Sequence, residues 1–398
     1  MPGTTPKAEL MARIARFQER LQARKMDGAL ILQKTDLYYL SGTVQQAQLY
    51  VPAEGAPLLM VKKSYARATA ESALEQVVPV SSPKDIPGCL KDAGLPVPAR
   101  LGLECDVLPM NLYQLYQSVF QNAAVADVSP DIRCVRAVKS PYELAIMEDA
   151  ARRADAVAAG VPDLLRTGIS ELKLAGLVEA SARAMGHQGV MRMRLWGNEL
   201  FYGHLMAGSS AAAPSYLASP TGGTGAGPAV AQGAGFGEIR PNEPILVDYV
   251  FAFDGYLADH TRIFAIGDLS DDLMRGHEAM CRIQETLSQE CRPGVTGGDI
   301  YRLAQSLAED AGYRDWFMGI GTERVFFVGH GIGLELDEYP FLAKGQDMPL
   351  AEGMVIALEP KLVIPGKGVV GIENTHVVTK TGLRRLTCHP DNIHIVDK

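Results

Sequence analysis

No segment of the 398 residues approaches the ~18 uninterrupted apolar residues of a membrane span, so no transmembrane helix is expected. Met1 to Asp27 alternates basic and apolar residues, without the apolar run or the small-residue cleavage site of a secretory signal. Cysteine is scarce: six residues (Cys89, Cys105, Cys134, Cys281, Cys291, Cys388) lie scattered without CxxC spacing. That fits reduced, mostly buried thiols better than a disulfide framework or a thiolate zinc site. Long runs of one charge sign are missing as well, and 38 Lys+Arg against 46 Asp+Glu give a net charge of −8, which offers no general attraction to nucleic acid or anionic lipid. The phosphate loop GxxxxGK[ST] is absent, and the glycines of residues 205–240 miss the GxGxxG register, so nucleotide binding is unsupported.

What is present is a foldable chain. It is 47% hydrophobic and 21% charged, enough for a sizeable core and too apolar for disorder. At about 100–200 residues per domain the length suggests two or three domains. A cytoplasmic protein with a small-molecule or peptide partner, no nucleic acid and no membrane is the resulting expectation.

Leu10, Met11, Ile14, Phe17 and Leu21 recur at three- and four-residue spacing and predict an amphipathic first helix. Short apolar runs follow at Ala29–Leu32, Pro57–Val61, Val77–Val80 and Leu101–Leu103, with a helical pattern at Asn111–Phe120. Strands alternating with helices indicate a small α/β domain with a largely parallel or mixed sheet, ending near residue 135. Ser140-Pro141-Tyr142-Glu143 is a capping box with proline at the first helical position, so a long helix starts there. A weak repeat then appears. Arg166-Thr-Gly168-Ile169-Ser170 and Arg292-Pro-Gly294-Val295-Thr296 each join two helical segments, the first of each pair at about residues 141–163 and 271–291. An internally duplicated domain with a site between its halves would give this pattern, as would two joints that share turn chemistry by chance. The Gly-, Ala-, Ser- and Pro-rich stretch 205–240 reads as a long ordered loop beside a site; its Ser209 and Ser210 have no His/Asp pattern near them.

The chemistry lies in the carboxyl-terminal half, where single acids interrupt apolar strands. Ile245–Phe253 and Tyr256–Ala265 read as a hairpin closed by Asp254-Gly255. Pairing Phe253 with Tyr256 sets Asp248 opposite Thr261 and Asp259 opposite Val250, so the two aspartates are diagonal neighbours on one face. Two buried like charges at that spacing repel unless a cation or a proton intervenes. Further on come Gly329-His330-Gly331-Ile-Gly333, Leu358-Glu359-Pro360 and Ile372-Glu373-Asn374. If Pro365–Lys367 forms a three-residue loop, Glu359 and Glu373 sit opposite each other; a four-residue loop puts them on different faces, and the sequence leaves this register open. Four carboxylates and one imidazole form a hard, oxygen-rich set suited to two divalent ions, Mn²⁺, Co²⁺, Fe²⁺ or Zn²⁺, with a bridging water drawn towards hydroxide.

These motifs together resemble the pita-bread metallopeptidase family, which includes methionine aminopeptidase, aminopeptidase P, prolidase and the metal-free creatinase. The D-x10-D spacing of Asp248 and Asp259 and the segment Asp259-His-Thr261-Arg262 belong to the match. Leu37-Tyr-Tyr-Leu-Ser-Gly42 looks like the creatinase-type accessory domain, and Arg136-Ala-Val-Lys-Ser140 like the start of a prolidase-type catalytic domain. The resemblance implies an α+β fold: a duplicated pita-bread catalytic domain at 136–398, preceded by a smaller α/β creatinase-like domain at 1–135. It implies that Asp248 binds one metal through two oxygens, that Asp259 and Glu373 bridge, and that His330 and Glu359 complete the second metal site. Glu359 would also relay the proton, Thr261 would support the ligands, and a homodimer is implied.

Three positions depart from the proline-specific members. Asp337 stands where a second histidine usually follows the first by seven residues, no histidine lies between His204 and Asp248, and Gly371 replaces a common arginine. His204, His260 and His376 are the histidines available to compensate, although strand alternation points His260 away from Asp259. The leading expectation is a metal-dependent hydrolase of the Xaa-Pro aminopeptidase or Xaa-Pro dipeptidase type, attacking the amide with a bridging hydroxide. A metal-dependent C–N hydrolase or lyase for a small metabolite is the second reading, motivated by Asp337, Gly371 and the missing histidine. A non-catalytic binding module on the same scaffold is the third.

Overall fold

A computed structural model describes residues 3–199 and 202–397. The chain divides into two compact units, Met1–Arg136 and Ala137–Lys398.

The first unit is built on a six-stranded mixed sheet. Gly28–Ile31 pairs antiparallel with Ala47–Pro52 and parallel with Arg100–Leu103; Leu58–Val61, Val77–Pro79 and Ala124–Asp127 complete the sheet. The first helix, Lys7–Ala23, buries Leu10, Ile14, Phe17 and Leu21 of the expected stripe, while Met11, one position off that face, lies exposed. The helical pattern near residue 111 forms Met110–Val119.

In the second unit, helix Pro141–Leu164 starts where the capping box places it. Ser140 Oγ accepts from the Glu143 amide at 3.2 Å, and Glu143 accepts from the Ser140 amide at 2.9 Å. A turn leads into helix Glu171–Ala184, capped by Ser170. The same arrangement recurs as helix Asp271–Glu290, a turn, and helix Gly297–Asp310 with a capping box from Thr296. Each helix pair packs on its own sheet. The first faces a four-stranded sheet of Gly203–Ala207, Ile245–Phe253, Tyr256–Ile266 and His394–Val396. The second faces a five-stranded sheet of Glu338–Ala343, Phe327–Gly331, Val355–Leu358, Asn374–Thr379 and Gly382–Arg385, beside the hairpin Lys361–Ile364/Gly368–Gly371.

The hairpin Ile245–Phe253/Tyr256–Ile266 lies between the two halves. Ile245, Val247 and Phe264 join one apolar core, Leu246 and Ile263 the other. Burial on both faces is why its sequence is almost continuously apolar. Asp254 (φ 47°) and Gly255 (φ 90°) both take positive φ, the requirement of a type I′ turn, and this fixes the register. Asp248 is opposite Thr261 and Val250 opposite Asp259, as the two-residue turn requires.

Two expectations need correction. The 205–240 stretch is not loop throughout, because it opens with strand Gly203–Ala207 and the short helix Gly208–Ala211. Apolar Leu205, Met206 and Ala207 are drawn into a sheet by pairing with Val247, Leu246 and Ile245. The thiols are free, but only Cys291 is buried, while Cys105 and Cys388 are exposed. Among the described residues no helix is long and apolar enough to cross a membrane.

Removing the Ser140 hydroxyl leaves amide groups of the first turn of Pro141–Leu164 unsatisfied. Ser140→Ala should lower stability by about 1 kcal/mol in equilibrium urea unfolding, with an unchanged m value.

Candidate metal centre

One pocket gathers most of the residues the sequence singles out. Its walls include His204, Asp248, Asp259, His330, Asp337, Glu359 and Glu373, and it encloses about 620 Å³ of space open to solvent. Leu217, Ala218 and Ser219 of the long loop form part of the wall, with Glu199, Phe327 and Leu336.

Regular structure delivers each group. Asp248 and Asp259 project from the same face of the central hairpin, on the side of Leu246 and Ile263. His330 comes from Phe327–Gly331, paired with Val355–Leu358, whose end leads to Glu359. The open register of the next hairpin resolves as Lys361 opposite Gly371 and Ile364 opposite Gly368, around a three-residue loop at 365–367. Continuing that register sets Glu359 against Glu373. Thr261 forms a bridge with Glu373, its amide donating to the Glu373 carbonyl at 3.3 Å, and this joins the two sheets at the site.

Asp259, His330 and Glu373 each present an atom within 4.8 Å of the others, all three buried. Among the described residues, Asp259 Oδ1 is enclosed without a hydrogen-bond partner. His330 Nδ1 lies 3.0 Å from the Gly331 carbonyl and must donate to it, so in the neutral ring Nε2 carries the lone pair towards the pocket. Nε2 faces Glu359 Oε1 at 3.7 Å and Glu373 Oε1 at 4.0 Å. An orphaned carboxylate oxygen, a presented imidazole lone pair and a second carboxylate form a donor set that fits a divalent cation.

The electrostatics are those of crowded acids. Burial, then the charges of Glu373 and Asp248, push the Asp259 carboxyl well above the usual range. Burial also raises Glu373, to about 7, against the lowering effect of Lys361. Burial opposes the charged form of His330, but Asp337, Glu359 and Glu373 outweigh it and hold the imidazole above its ordinary value. A bound cation favours the deprotonated forms of all these groups.

Sequence reasoning missed the most buried cation of the site. Lys361 Nζ donates to Glu359 Oε2 at 2.7 Å, Glu373 Oε2 at 2.8 Å and Asp248 Oδ2 at 3.1 Å. Burial disfavours its charge, yet Asp248, Glu359 and Glu373 more than compensate and push its pKa well above the usual lysine value. The signal was a lysine inside Glu359-Pro360-Lys361-Leu-Val-Ile, two residues from a glutamate and therefore on its face of the strand.

Behind the carboxylates stands a locking layer. Thr261 Oγ1 donates to Glu373 Oε2 at 2.9 Å. Arg262, fully buried, donates to the carbonyls of Thr261, Glu373, His389 and Pro390 and to Asn374 Oδ1, which explains why arginine and asparagine accompany the two acids. The Thr375 hydroxyl accepts from the Asp259 amide and donates to its carbonyl, both at 2.8 Å.

The three histidines named as compensators separate. His204 lies directly across from Asp248, with Nε2 3.4 Å from Gln232 Oε1, and it lines the pocket; burial lowers its pKa, opposed by Asp248. His260, opposite Tyr249, faces away among Arg262, His389 and Arg385. His376 lines a different cavity with Cys281 and Arg385. Asp337 reaches the site, with Oδ1 3.7 Å from His330 Nδ1. Its loop is tied down by Glu338, which accepts from the amides of Leu334 and Glu335 and pairs with Lys139 at 2.9 Å.

Comparison with known proteins places this geometry in a family. Residues 145–380 match the model of metallopeptidase family M24, and residues 13–138 match the creatinase/prolidase N-terminal domain. The chain is 31% identical to an Xaa-Pro dipeptidase of Lactobacillus helveticus over 295 residues, 74% of this chain and 72% of that protein. It is 26% identical to an Xaa-Pro dipeptidase of Pyrococcus horikoshii over 377 residues, 94% and 96% of the two chains. In three dimensions it resembles an Xaa-Pro dipeptidase from Bacillus anthracis (TM-score 0.83, 24% identity, 97% of this chain and 100% of that one). The dipeptidase PepE from Mycobacterium ulcerans is similarly close in fold (TM-score 0.81, 24% identity, 100% of both chains). The chain belongs to metallopeptidase family M24. Its fold is a pita-bread catalytic domain after a creatinase-type α/β domain, and the family is one of divalent-metal enzymes.

Thr261 acts on the centre only through Glu373. Thr261→Val should weaken Mn²⁺ binding by roughly 10- to 100-fold in isothermal titration. The far-ultraviolet circular dichroism should stay unchanged.

Proposed function

We propose that this chain is a metal-dependent Xaa-Pro peptidase acting on short peptides, in the manner of the aminopeptidases and dipeptidases it resembles. The observation that carries the reading is the buried cluster of Asp259, which keeps an unpartnered oxygen, with His330 and Glu373 in the wall of a solvent-open pocket. Oxygen donors with one imidazole favour Mn²⁺ or Co²⁺, with Zn²⁺ or Fe²⁺ as alternatives. When bound, the metal supplies Lewis acidity towards the scissile carbonyl and a lowered pKa for water. In this reading the expected sites, Asp248, Asp259, His330, Glu359 and Glu373, hold and polarise the reacting groups, and the cytoplasm is the expected compartment. A homodimer is the expected assembly, measurable by light scattering.

The protein's own side chains divide the remaining work. Glu359 lies in the pocket wall and carries the proton towards the leaving amine. His204, kept neutral by burial, offers a hydrogen bond across from Asp248. Leu217, Phe327 and Leu336 give apolar surface for a pyrrolidine ring, and Asp337 with Glu199 gives negative charge for the peptide's terminal ammonium.

That acidic rim also supports a second reading. The described residues lining the pocket include no arginine or lysine to meet a substrate carboxylate. A small amine-bearing metabolite cleaved at a C–N bond would suit such walls. A panel of Xaa-Pro dipeptides and longer Xaa-Pro peptides separates the two, since robust peptide turnover supports the first.

Asp259→Asn replaces an anionic ligand with a neutral one. It should lose bound metal by elemental analysis and lose at least about 100-fold in kcat/KM for an Xaa-Pro peptide. Full metal content with unchanged turnover would end the proposal.

A further inference from the structure

The positions expected to hold two ions are not equivalent. Glu359 and Glu373 each turn one oxygen, Oε1, towards His330, and the other, Oε2, towards Lys361 Nζ. On the His330 side stand Asp259, with its orphaned oxygen, and the imidazole lone pair. On the other side, where Asp248 would hold an ion of its own, the lysine ammonium contacts Asp248, Glu359 and Glu373 at 2.7–3.1 Å. Both glutamates therefore bridge, but they bridge a candidate metal position to an ammonium group.

We propose that Lys361 is a resident cation that takes the place of one of the two metal ions, so that the centre binds a single divalent ion at Asp259, His330 and Glu373. The inference rests on the metal-dependent reading above and concerns the number and placement of its charges.

The backbone is arranged for this side chain. Lys361 is the direct cross-strand partner of Gly371. A Cβ at Gly371 would stand 2.5 Å from the Pro360 carbonyl oxygen, 2.7 Å from the Lys361 Cα and 3.1 Å from its Cγ, and φ there is +151°. Any side chain there would collide first with the main chain of the facing strand, so position 371 contributes no group of its own. The departure at Gly371 and the lysine at 361 are thus one feature. Position 371 offers no side chain, and the cation that reaches the carboxylates comes from the facing strand.

The donor count agrees, and the charge stays close to balance. Four carboxylates carry −4. One divalent ion and one ammonium supply +3, against +4 from two ions. A second ion would need the oxygens of Asp248, Glu359 and Glu373 that the three N–H donors of Lys361 already occupy. A tethered ammonium with three good hydrogen bonds needs no loading from solution.

The test is Mn²⁺ stoichiometry on the full-length protein, stripped with chelator and dialysed against Mn²⁺ alone, read by elemental analysis and electron paramagnetic resonance. Wild type should bind one ion per chain with the signal of an isolated Mn²⁺. Lys361→Met should bind two, with the exchange-coupled signal of a pair, and the metal-free variant should melt below metal-free wild type. Because that variant crowds carboxylates and risks misfolding, Asp248→Asn provides a second arm. If Lys361 is the resident cation, Asp248→Asn still binds one ion; if Asp248 holds a metal, it loses one relative to wild type. Two ions in wild type, or one in a folded Lys361→Met, would overturn the resident-cation proposal and leave the peptidase reading standing. No bound ion in wild type, with no peptide turnover, would overturn both.

Discussion

Asp248, Asp259, Glu359 and Glu373 line one pocket, and repulsion between neighbouring carboxylates governs what the rest of this half of the molecule must do. Two unit charges 4 Å apart interact by about 4 kcal/mol at an effective dielectric of 20, and four such groups make several pairs. Only protons or cations can hold them together. The raised pKa values of Asp259 and Glu373 are the protonation side of that requirement, and the three hydrogen bonds of Lys361 are the cation side. A divalent ion among Asp259, His330 and Glu373 would shift the balance towards full ionisation.

Such a centre needs rigid backing, and the fold supplies it by placing the acids where two sheets meet. The central hairpin contributes side chains to both apolar cores, so Asp248 and Asp259 cannot swing away without unpacking one of them. Arg262 satisfies four carbonyls and Asn374 from within the seam. Its charge lies behind the ligands and not among them, and its donors fix Glu373 and Asn374 relative to Thr261. The duplicated arrangement of helix pairs, one on each sheet, brings two similar halves against a shared centre.

Much of this was legible from residue order because local geometry dictated it. The Asp254-Gly255 turn allowed only one two-residue register, and the register set Asp248 and Asp259 on one face. The capping box at Ser140 marked a helix start because hydroxyl and carboxylate must both reach nearby amides. The thiols were harder, since apolar context is a weak guide to burial for so small a side chain, and Cys105 and Cys388 lie exposed. The start of the 205–240 stretch was also obscured, because pairing with Ile245, Leu246 and Val247 made Leu205–Ala207 a strand against a glycine-rich background.

The sequence by itself determined the candidate metal-binding side chains and the register of the central hairpin, because these follow from residue type, turn length and strand period. Only the tertiary structure decided how Glu359 and Glu373 oppose each other, since three- and four-residue loops were equally compatible with Pro365-Gly366-Lys367-Gly368. It also decided that His204 enters the pocket while His376 lines a different cavity, because that depends on which strand lies beside Asp248. Above all it decided the position of Lys361. A buried ammonium is tolerated where several carboxylates converge, and that convergence of Asp248 from mid-strand with Glu359 and Glu373 from beside two strand ends exists only once the chain has folded.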